Sequence, residues 1–290
     1  MSQVGIVTDT SASIPAPLVE KLGIALVPYY IHKGLETLRD MIDVLPDTFA
    51  RYLETTDRLP TTSNPGPGDY LAVLQRMAAQ TRDVVVLTMT SKGSGAFQAC
   101  QAAVAILREQ LPKMRVEVVD TLQVAMSQGW AAIEAARAAL RGLSLEEVVA
   151  QAKRVARLGM MIQTADTLRY LRMGGRIGRA QHLAGSLLNI KPLIGMQDGV
   201  IVALGTARSR AKAYARMVEL MCQQAGEGAR IKVAFTHVAA QEQAELLRER
   251  VRERFECVEE LISPLSAALA VHSGPGTVGL SFYPLSGNET

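Results

Sequence analysis

DVVVLTMTSKGSGAFQACQAAVAIL, residues 83–107, decides the fold. Residues 83–88 form a continuous, valine-rich run of the kind found in strands buried on both faces. A polar, glycine-containing loop follows, Thr90-Ser91-Lys92-Gly93-Ser94-Gly95. Apolar residues then recur at Ala96, Ala99, Cys100, Ala103, Val104 and Leu107, the spacing of one helix face. A buried strand, a short loop and an amphipathic helix make one unit of a parallel sheet covered by helices.

The same alternation extends outward. Upstream, residues 4–8 and 25–31 read as strands, and helices are expected from Pro15, over 46–55 and over 69–80. Between the last two lies residues 59–68, whose three prolines and two glycines predict an irregular, stiff loop. Downstream, residues 115–119 read as a strand and 125–141 and 145–158 as helices, the second opened by the capping box Ser144–Glu147. The pattern then changes. Residues 159–164 read as a strand, and 191–196 and 200–207 as a hairpin around Gln197-Asp198-Gly199. Helices are expected over 209–225 and 241–255, with strands over 230–237, 257–262 and 278–283. The expected fold is therefore α/β. An N-terminal three-layer α/β/α domain with a parallel sheet spans residues 1–158, and a C-terminal α/β domain with a mixed sheet spans 159–290.

Composition narrows the function. Charged residues are 20% and the net charge is +3, with acids interspersed, which is no nucleic-acid footprint. Aromatics are 4%, too few for base-stacking recognition. Cys100, Cys222 and Cys257 lie far apart and match neither a disulfide framework nor a zinc site. The absence of a spanning apolar stretch and of a signal-like start points to the cytoplasm. One segment stands out. Residues 168–213 join an apolar helix-like surface to cationic points at Arg176 and at Arg208, Arg210 and Lys212, an arrangement suited to a molecule with an apolar tail and an acidic head.

In a doubly wound sheet, ligands bind past the carboxyl ends of the strands. The polar loops at 9–13, 61–68, 90–95 and 120–123 are placed to converge there. The Ser94 loop is either an anion-binding helix N-terminus or an ordinary capped turn; it has neither Walker nor full Rossmann spacing. Thr61-Thr62-Ser63 can present a hydroxyl or simply turn the chain, and His272 precedes the glycine-rich loop Gly274-Pro275-Gly276. No nucleophile stands with a base, and no Cys/His/Asp cluster has metal-ligand spacing. Binding is favoured over catalysis.

The motif series resembles the DegV family, the fatty-acid-binding subunits of bacterial fatty-acid kinase. The matching residues run nearly the whole length: Val4-Gly5-Ile6-Val7-Thr8-Asp9, Pro60 to Pro65, Thr90 to Gln98, Gly174-Gly175-Arg176-Ile177, Leu187-Leu188-Asn189-Ile190-Lys191-Pro192, Asp198-Gly199 and His272-Ser273-Gly274-Pro275-Gly276. The resemblance implies a long-chain fatty acid buried between two domains, with its carboxylate held by Thr62, Ser94 and His272. It implies that Arg176 and Arg208 dock a separate ATP-dependent kinase subunit, which phosphorylates the carboxylate, with transient membrane contact for ligand exchange. It implies no cofactor, no metal and no catalytic residue in this chain. Lys92-Gly93 stands where the family usually has Gly-Leu, Asn64 where it has Gln, and Ser273 where it has Thr. The alternatives are a dihydroxyacetone-kinase-like phosphotransferase subunit, with Ser94 for phosphate and His272 reacting, and a lipid-sensing interaction module.

Overall fold

The computed structural model describes residues 4–56, 58–183 and 190–286. The first half contains β1 (Val4–Asp9), α1 (Ala16–Leu22), β2 (Ala25–Val27), β3 (Tyr30–Lys33), β4 (Glu36–Arg39), α2 (Pro46–Thr55), β5 (Thr61–Ser63) and α3 (Pro67–Ala78). It continues with β6 (Asp83–Thr88), α4 (Ala96–Gln110), β7 (Arg115–Asp120), α5 (Met126–Leu140) and α6 (Leu145–Leu158). The second half contains β8 (Met160–Thr164), α7 (Arg169–Met173), β9 (Lys191–Gln197), β10 (Val200–Ala207) and α8 (Arg210–Ala225). It ends with β11 (Arg230–His237), α9 (Gln241–Arg252), β12 (Glu256–Pro264), α10 (Ala267–Ser273) and β13 (Val278–Pro284).

The fold class expected from the sequence is the one observed. A four-stranded, all-parallel sheet has the order β2-β1-β6-β7. A six-stranded mixed sheet has the order β10-β9-β8-β13-β11-β12, with only β11 and β12 parallel. The valine run of β6 is apolar on both sides because both sides are covered. Val84 and Val86 pack into the cluster of α3 and α4, while Val85 and Leu87 pack into that of α5 and α6.

Helix α5 explains how the two sheets are joined. It is rich in alanine and buried nearly all round, Arg137 and Leu140 being its only residues outside that class. One face meets β1 and β6. On another, Trp130 stacks edge-on against Tyr283 of β13 at 5.9 Å and donates from Nε1 to the Ser281 carbonyl at 3.0 Å. Along β13, Val278, Leu280 and Phe282 turn the other way, into the cluster formed by α8 and α9. The α5–α6 layer thus lies between the parallel and the mixed sheet. Charges are buried at this junction. Lys232 on β11 lies 3.0 Å from Glu134 and 3.4 Å from Glu259, and Arg137 bridges the same two glutamates at 2.8 and 2.6 Å.

Several local expectations are corrected. The strand expected over 25–31 is two, because Pro28 offers no backbone donor and the chain leaves the parallel sheet there. β3 begins a third, antiparallel sheet of order β4-β3-β5. Residues 61–63, expected to be irregular, form its strand β5, with Thr62 opposite Ile31. Helix α10 was not anticipated; its signal is Ser266, which accepts from the Leu269 amide at 3.4 Å, ahead of a run of helix-forming alanines. Of the segment before Lys191 expected to be an apolar helix, Gly178–Leu183 form a 3-10 helix; Ala184, Leu187, Leu188 and Asn189 lie outside the described residues.

Candidate functional site

Thr62 sits on β5, where Thr61 and Ser63 are exposed and period two turns Thr62 inward. His272 arrives from the C-terminal end of α10. Across 210 positions of sequence, Thr62 Oγ1 and His272 Nε2 meet at 2.7 Å. Ser94 lies two residues before α4, and its Oγ accepts from the Ala96 amide at 3.2 Å. The same hydroxyl pairs with Tyr29 Oη at 2.6 Å. A Cβ at Gly95 would lie 3.1 Å from Asn64 Oδ1, so the loop of Ser94 and that of Thr62 rest directly on each other.

Thr62, Ser94 and His272 all line one cavity of about 370 Å³. That is within the range of small-molecule sites, ~300–1,000 Å³. Met161, Leu171, Ile194 and Leu265, all buried, supply apolar wall, together with the less buried Met196 and Ile201. Ser11, Tyr29 and Gln163 add polar atoms. Two cations, Lys92 and Arg176, reach the lining, and both residues are exposed. The lining comes from both sides of residue 158, and the loops after β1, β6 and β7 contribute Ser11, Thr90 with Lys92, Gly93 and Ser94, and Val124.

The electrostatics favour neutral donors inside. Burial, aided by the Arg176 guanidinium, pushes the His272 imidazole down to about 4, so the ring is neutral near pH 7. Its Nδ1 is buried and has no hydrogen-bond partner among the described residues. Burial, with Asp9 nearby, holds the Tyr29 phenol well above 10, so its proton is retained. Beneath the cavity, Asp9 is buried. It accepts from the Ser11 and Met89 amides and the Gln128 side chain, each at 3.1 Å, and from the Ser11 hydroxyl. Burial still raises its pKa. Asp9 thereby fixes both Ser11 and the start of the Ser94 loop.

The glycine motifs have a packing cause. A Cβ at Gly174 would collide with His272 Nδ1, and one at Gly274 with the Tyr170 ring. The Gly-Gly-Arg and His-Ser-Gly-Pro-Gly segments therefore lie face to face, and Arg176 Nη1 is anchored on the Gly174 carbonyl at 2.7 Å. The hairpin turn at Asp198-Gly199 has positive φ at both positions, 51° and 77°. Its Gly199 carbonyl accepts from Thr90 Oγ1 at 2.8 Å, closing the cavity from the second sheet.

The cations of residues 168–213 separate into three roles. Lys191 and Arg210 pair with Asp166, at 2.6 and 2.9 Å, and hold the frame. Arg176 is at the cavity. Arg208 is exposed and lines a different, shallow depression with Lys212 and Arg216. The residues that sequence reasoning missed are Tyr29 and Gln163. Tyr29 has no local signal, since its partner is 65 positions away. Gln163 had one, an amide within an otherwise apolar strand. Among the described residues no group of His, Cys, Asp and Glu has the arrangement of a metal site, and no helix is long and apolar enough to cross a membrane.

A family model described as "Uncharacterised protein, DegV family" matches residues 3–285. A DegV domain-containing protein of Streptomyces coelicolor is 37% identical over 279 residues, 96% of this chain and 97% of that protein. Among solved structures, a DegV family protein from Thermus thermophilus, described for its fatty acid binding, superimposes with a TM-score of 0.91 at 31% identity, covering 98% of this chain and 100% of that one. DegV from Bacillus subtilis, described as a fatty acid binding protein, superimposes at 0.85 with 26% identity, covering 98% and 100%.

Proposed function

The chain belongs to the DegV family, and from that premise we propose that it binds a long-chain fatty acid in the cavity between residues 1–158 and 159–290 and presents the carboxylate to a separate ATP-dependent kinase subunit. The observation that carries the reading is the meeting of two hydroxyl pairs, Thr62–His272 and Ser94–Tyr29, in one cavity with apolar walls. A carboxylate taken from water needs donors that stay neutral and fixed, or it takes up a proton. The Thr62 and Ser94 hydroxyls supply them, and His272 with its partnerless nitrogen orients Thr62. The acyl tail gains ~0.8 kcal/mol per buried methylene, roughly 12 kcal/mol gross for a chain of about sixteen carbons.

Presentation requires that the head group be reachable. Arg176 is exposed and lines the cavity at once, so a partner that touches it is next to the carboxylate. Arg208 extends the cationic surface beyond β10, whose Ile201 packs against Gly178, two residues from Arg176. In this reading Arg176 and Arg208 dock the kinase, which brings ATP and its metal. The protein is a cytoplasmic carrier that exchanges its ligand by transient contact with the membrane.

Displacement of a fluorescent fatty acid by unlabelled hexadecanoate tests the binding step. Saturable, one-to-one displacement is expected, with acyl-phosphate formation only when a kinase subunit and ATP are added. Turnover of a small phosphorylated substrate by the chain alone, with no fatty-acid displacement, would overturn the reading in favour of a phosphotransferase.

A further inference from the structure

Gln163 is a polar group of the cavity that carboxylate binding leaves unused. It lies on β8 behind Met160, Met161 and Ile162 and is only 6% exposed. Period two puts it on the face of Met161, which also lines the cavity, while Ile162 turns the other way into the cluster of α8 and α9. Opposite it on the adjoining strands stand Ile194 and Gly279, neither with a polar side chain. A carboxamide on such a wall costs free energy unless its N–H and C=O groups are paired.

One pairing is present. Gln163 Nε2 donates to Ser273 Oγ at 3.3 Å. Among the described residues, Gln163 Oε1 accepts no hydrogen bond and the Ser273 hydroxyl proton has no acceptor. Both residues line the cavity, so together they offer a ligand one acceptor and one donor side by side. Turning the amide end for end exchanges the roles and leaves the same balance, a free N–H beside a serine lone pair. The other lining hydroxyls are committed. Thr62 and Ser94 are held by His272 and Tyr29 for the carboxylate, Ser11 is tied to Asp9 and Gln128, Ser63 to His32, and Thr90 to the Gly199 carbonyl.

A carboxylate cannot use both halves of the Gln163–Ser273 pair, because it only accepts. A methylene uses neither. A hydroxyl donates and accepts at once, and it matches the pair in either amide orientation. The position of the pair says where on the ligand that hydroxyl sits. Ser273 directly follows His272, whose Nε2 meets Thr62 at 2.7 Å, so the hydroxyl belongs on a carbon close to the carboxylate and not far along the tail.

We propose that Gln163 and Ser273 are a specificity-determining pair that makes the cavity accept long-chain acids hydroxylated at carbon 2 or 3. The proposal rests on the reading that this cavity binds a long-chain fatty acid, and it adds which acids that binding tells apart.

Displacement of a fluorescent fatty acid by hexadecanoate, by the separate enantiomers of 2- and 3-hydroxyhexadecanoate and by 16-hydroxyhexadecanoate tests it. On a wall of methyl and methylene groups alone, a buried hydroxyl weakens binding ~10-fold or more. Here at least one of the four 2- or 3-hydroxy acids is expected to match or exceed hexadecanoate. It should also bind ~10-fold more tightly than its mirror image, because a donor and an acceptor together fix the direction of the hydroxyl. 16-Hydroxyhexadecanoate is expected to bind more weakly than hexadecanoate. In Gln163→Leu the affinity of the favoured hydroxy acid relative to hexadecanoate, both measured on the variant, should fall ~10-fold, with loss of the mirror-image preference. Ser273→Ala should lower the same ratio less, and Ser273→Thr should keep it. If the unmodified protein binds all four 2- and 3-hydroxy acids ~10-fold more weakly than hexadecanoate, the proposal is overturned and the fatty-acid reading stands. A ratio that survives both Gln163→Leu and Ser273→Ala has the same consequence, as does an equal gain for 16-hydroxyhexadecanoate. Failure of every acid to bind, hexadecanoate included, removes the fatty-acid reading and the proposal together.

Discussion

One half-buried and one buried titratable group, His272 and Asp40, give the molecule opposing pH dependences. His272 is depressed to about 4 by burial and by Arg176. A base lowered in the folded state contributes stability that is present above its unfolded value, near 6.5, and is lost as pH falls toward 4. Asp40 is the reverse. It is buried, it accepts from the Ala267 amide at the start of α10 at 3.0 Å, and burial raises it to about 6. An acid raised in the folded state contributes stability that is present below its unfolded value, near 3.8, and is lost as pH rises through 6. Over pH 4–6 the two slopes oppose each other. Urea unfolding across that window should show Asp40→Asn losing stability as pH falls, and His272→Gln losing it as pH rises. Parallel curves for both variants and the parent would contradict the assignment. At the same scale, Ser94→Ala removes the donor and the partner of Tyr29, and a ~10-fold weaker fatty-acid affinity is expected. Tyr29→Phe keeps Ser94 but frees its hydroxyl to rotate, so a smaller loss is expected. Displacement titrations of both variants check the order. Ser94 and His272 were legible from motif and loop position. Tyr29 was not, because a contact between strand ends and a distant loop leaves no trace in local spacing.

At the scale of elements, periodicity served where segments were long and failed where they were short. The run at 83–88 and the helix after it were plain, since an unbroken apolar run gives way to apolar positions at helical spacing. The sheet β4-β3-β5 escaped notice because its strands are three or four residues long and β5 lies among prolines and a polar loop. That sheet nonetheless positions Thr62. The short helices α7 and α10 set the other side of the site, and their contact depends on absent side chains. Gly174→Ala is expected to push α10 and His272 away from Thr62, because the new Cβ has no space beside the ring. Fatty-acid affinity should fall at least tenfold, a loss of about 1.4 kcal/mol, while far-ultraviolet dichroism stays that of the parent. Unchanged affinity in a folded Gly174→Ala protein would mean that the Thr62–His272 pair does not hold the head group.

At the scale of the whole molecule, the cavity exists because two sheets share one helical layer. The sequence announced a parallel and a mixed sheet, but neither the third sheet nor that α5 is buried between the first two. An alanine-rich helix with one tryptophan and one glutamate can be a surface helix or a central one, and only the partner strands decide. The Glu134–Lys232–Glu259–Arg137 cluster sits at that junction, with Lys232 and Glu134 only 4% and 5% exposed. Removing one member leaves buried charge uncompensated, at a cost of about 3–5 kcal/mol. Lys232→Met should therefore lower the urea midpoint sharply, and Lys232→Met combined with Glu134→Gln should recover part of the loss. A single variant as stable as the parent would show that the junction is held by apolar packing alone.

The claim that the cavity lined by Thr62, Ser94 and His272 encloses an acidic lipid is tested most directly by what the purified protein contains. Organic extraction of the chain as isolated from bacterial cells, followed by quantitative mass spectrometry, should recover close to one single-chain acyl acid or its phosphorylated form per protein molecule. The Ser94→Ala protein should yield substantially less. Repeated recovery of no acyl lipid, from protein that also fails to take up added hexadecanoate, would contradict the account.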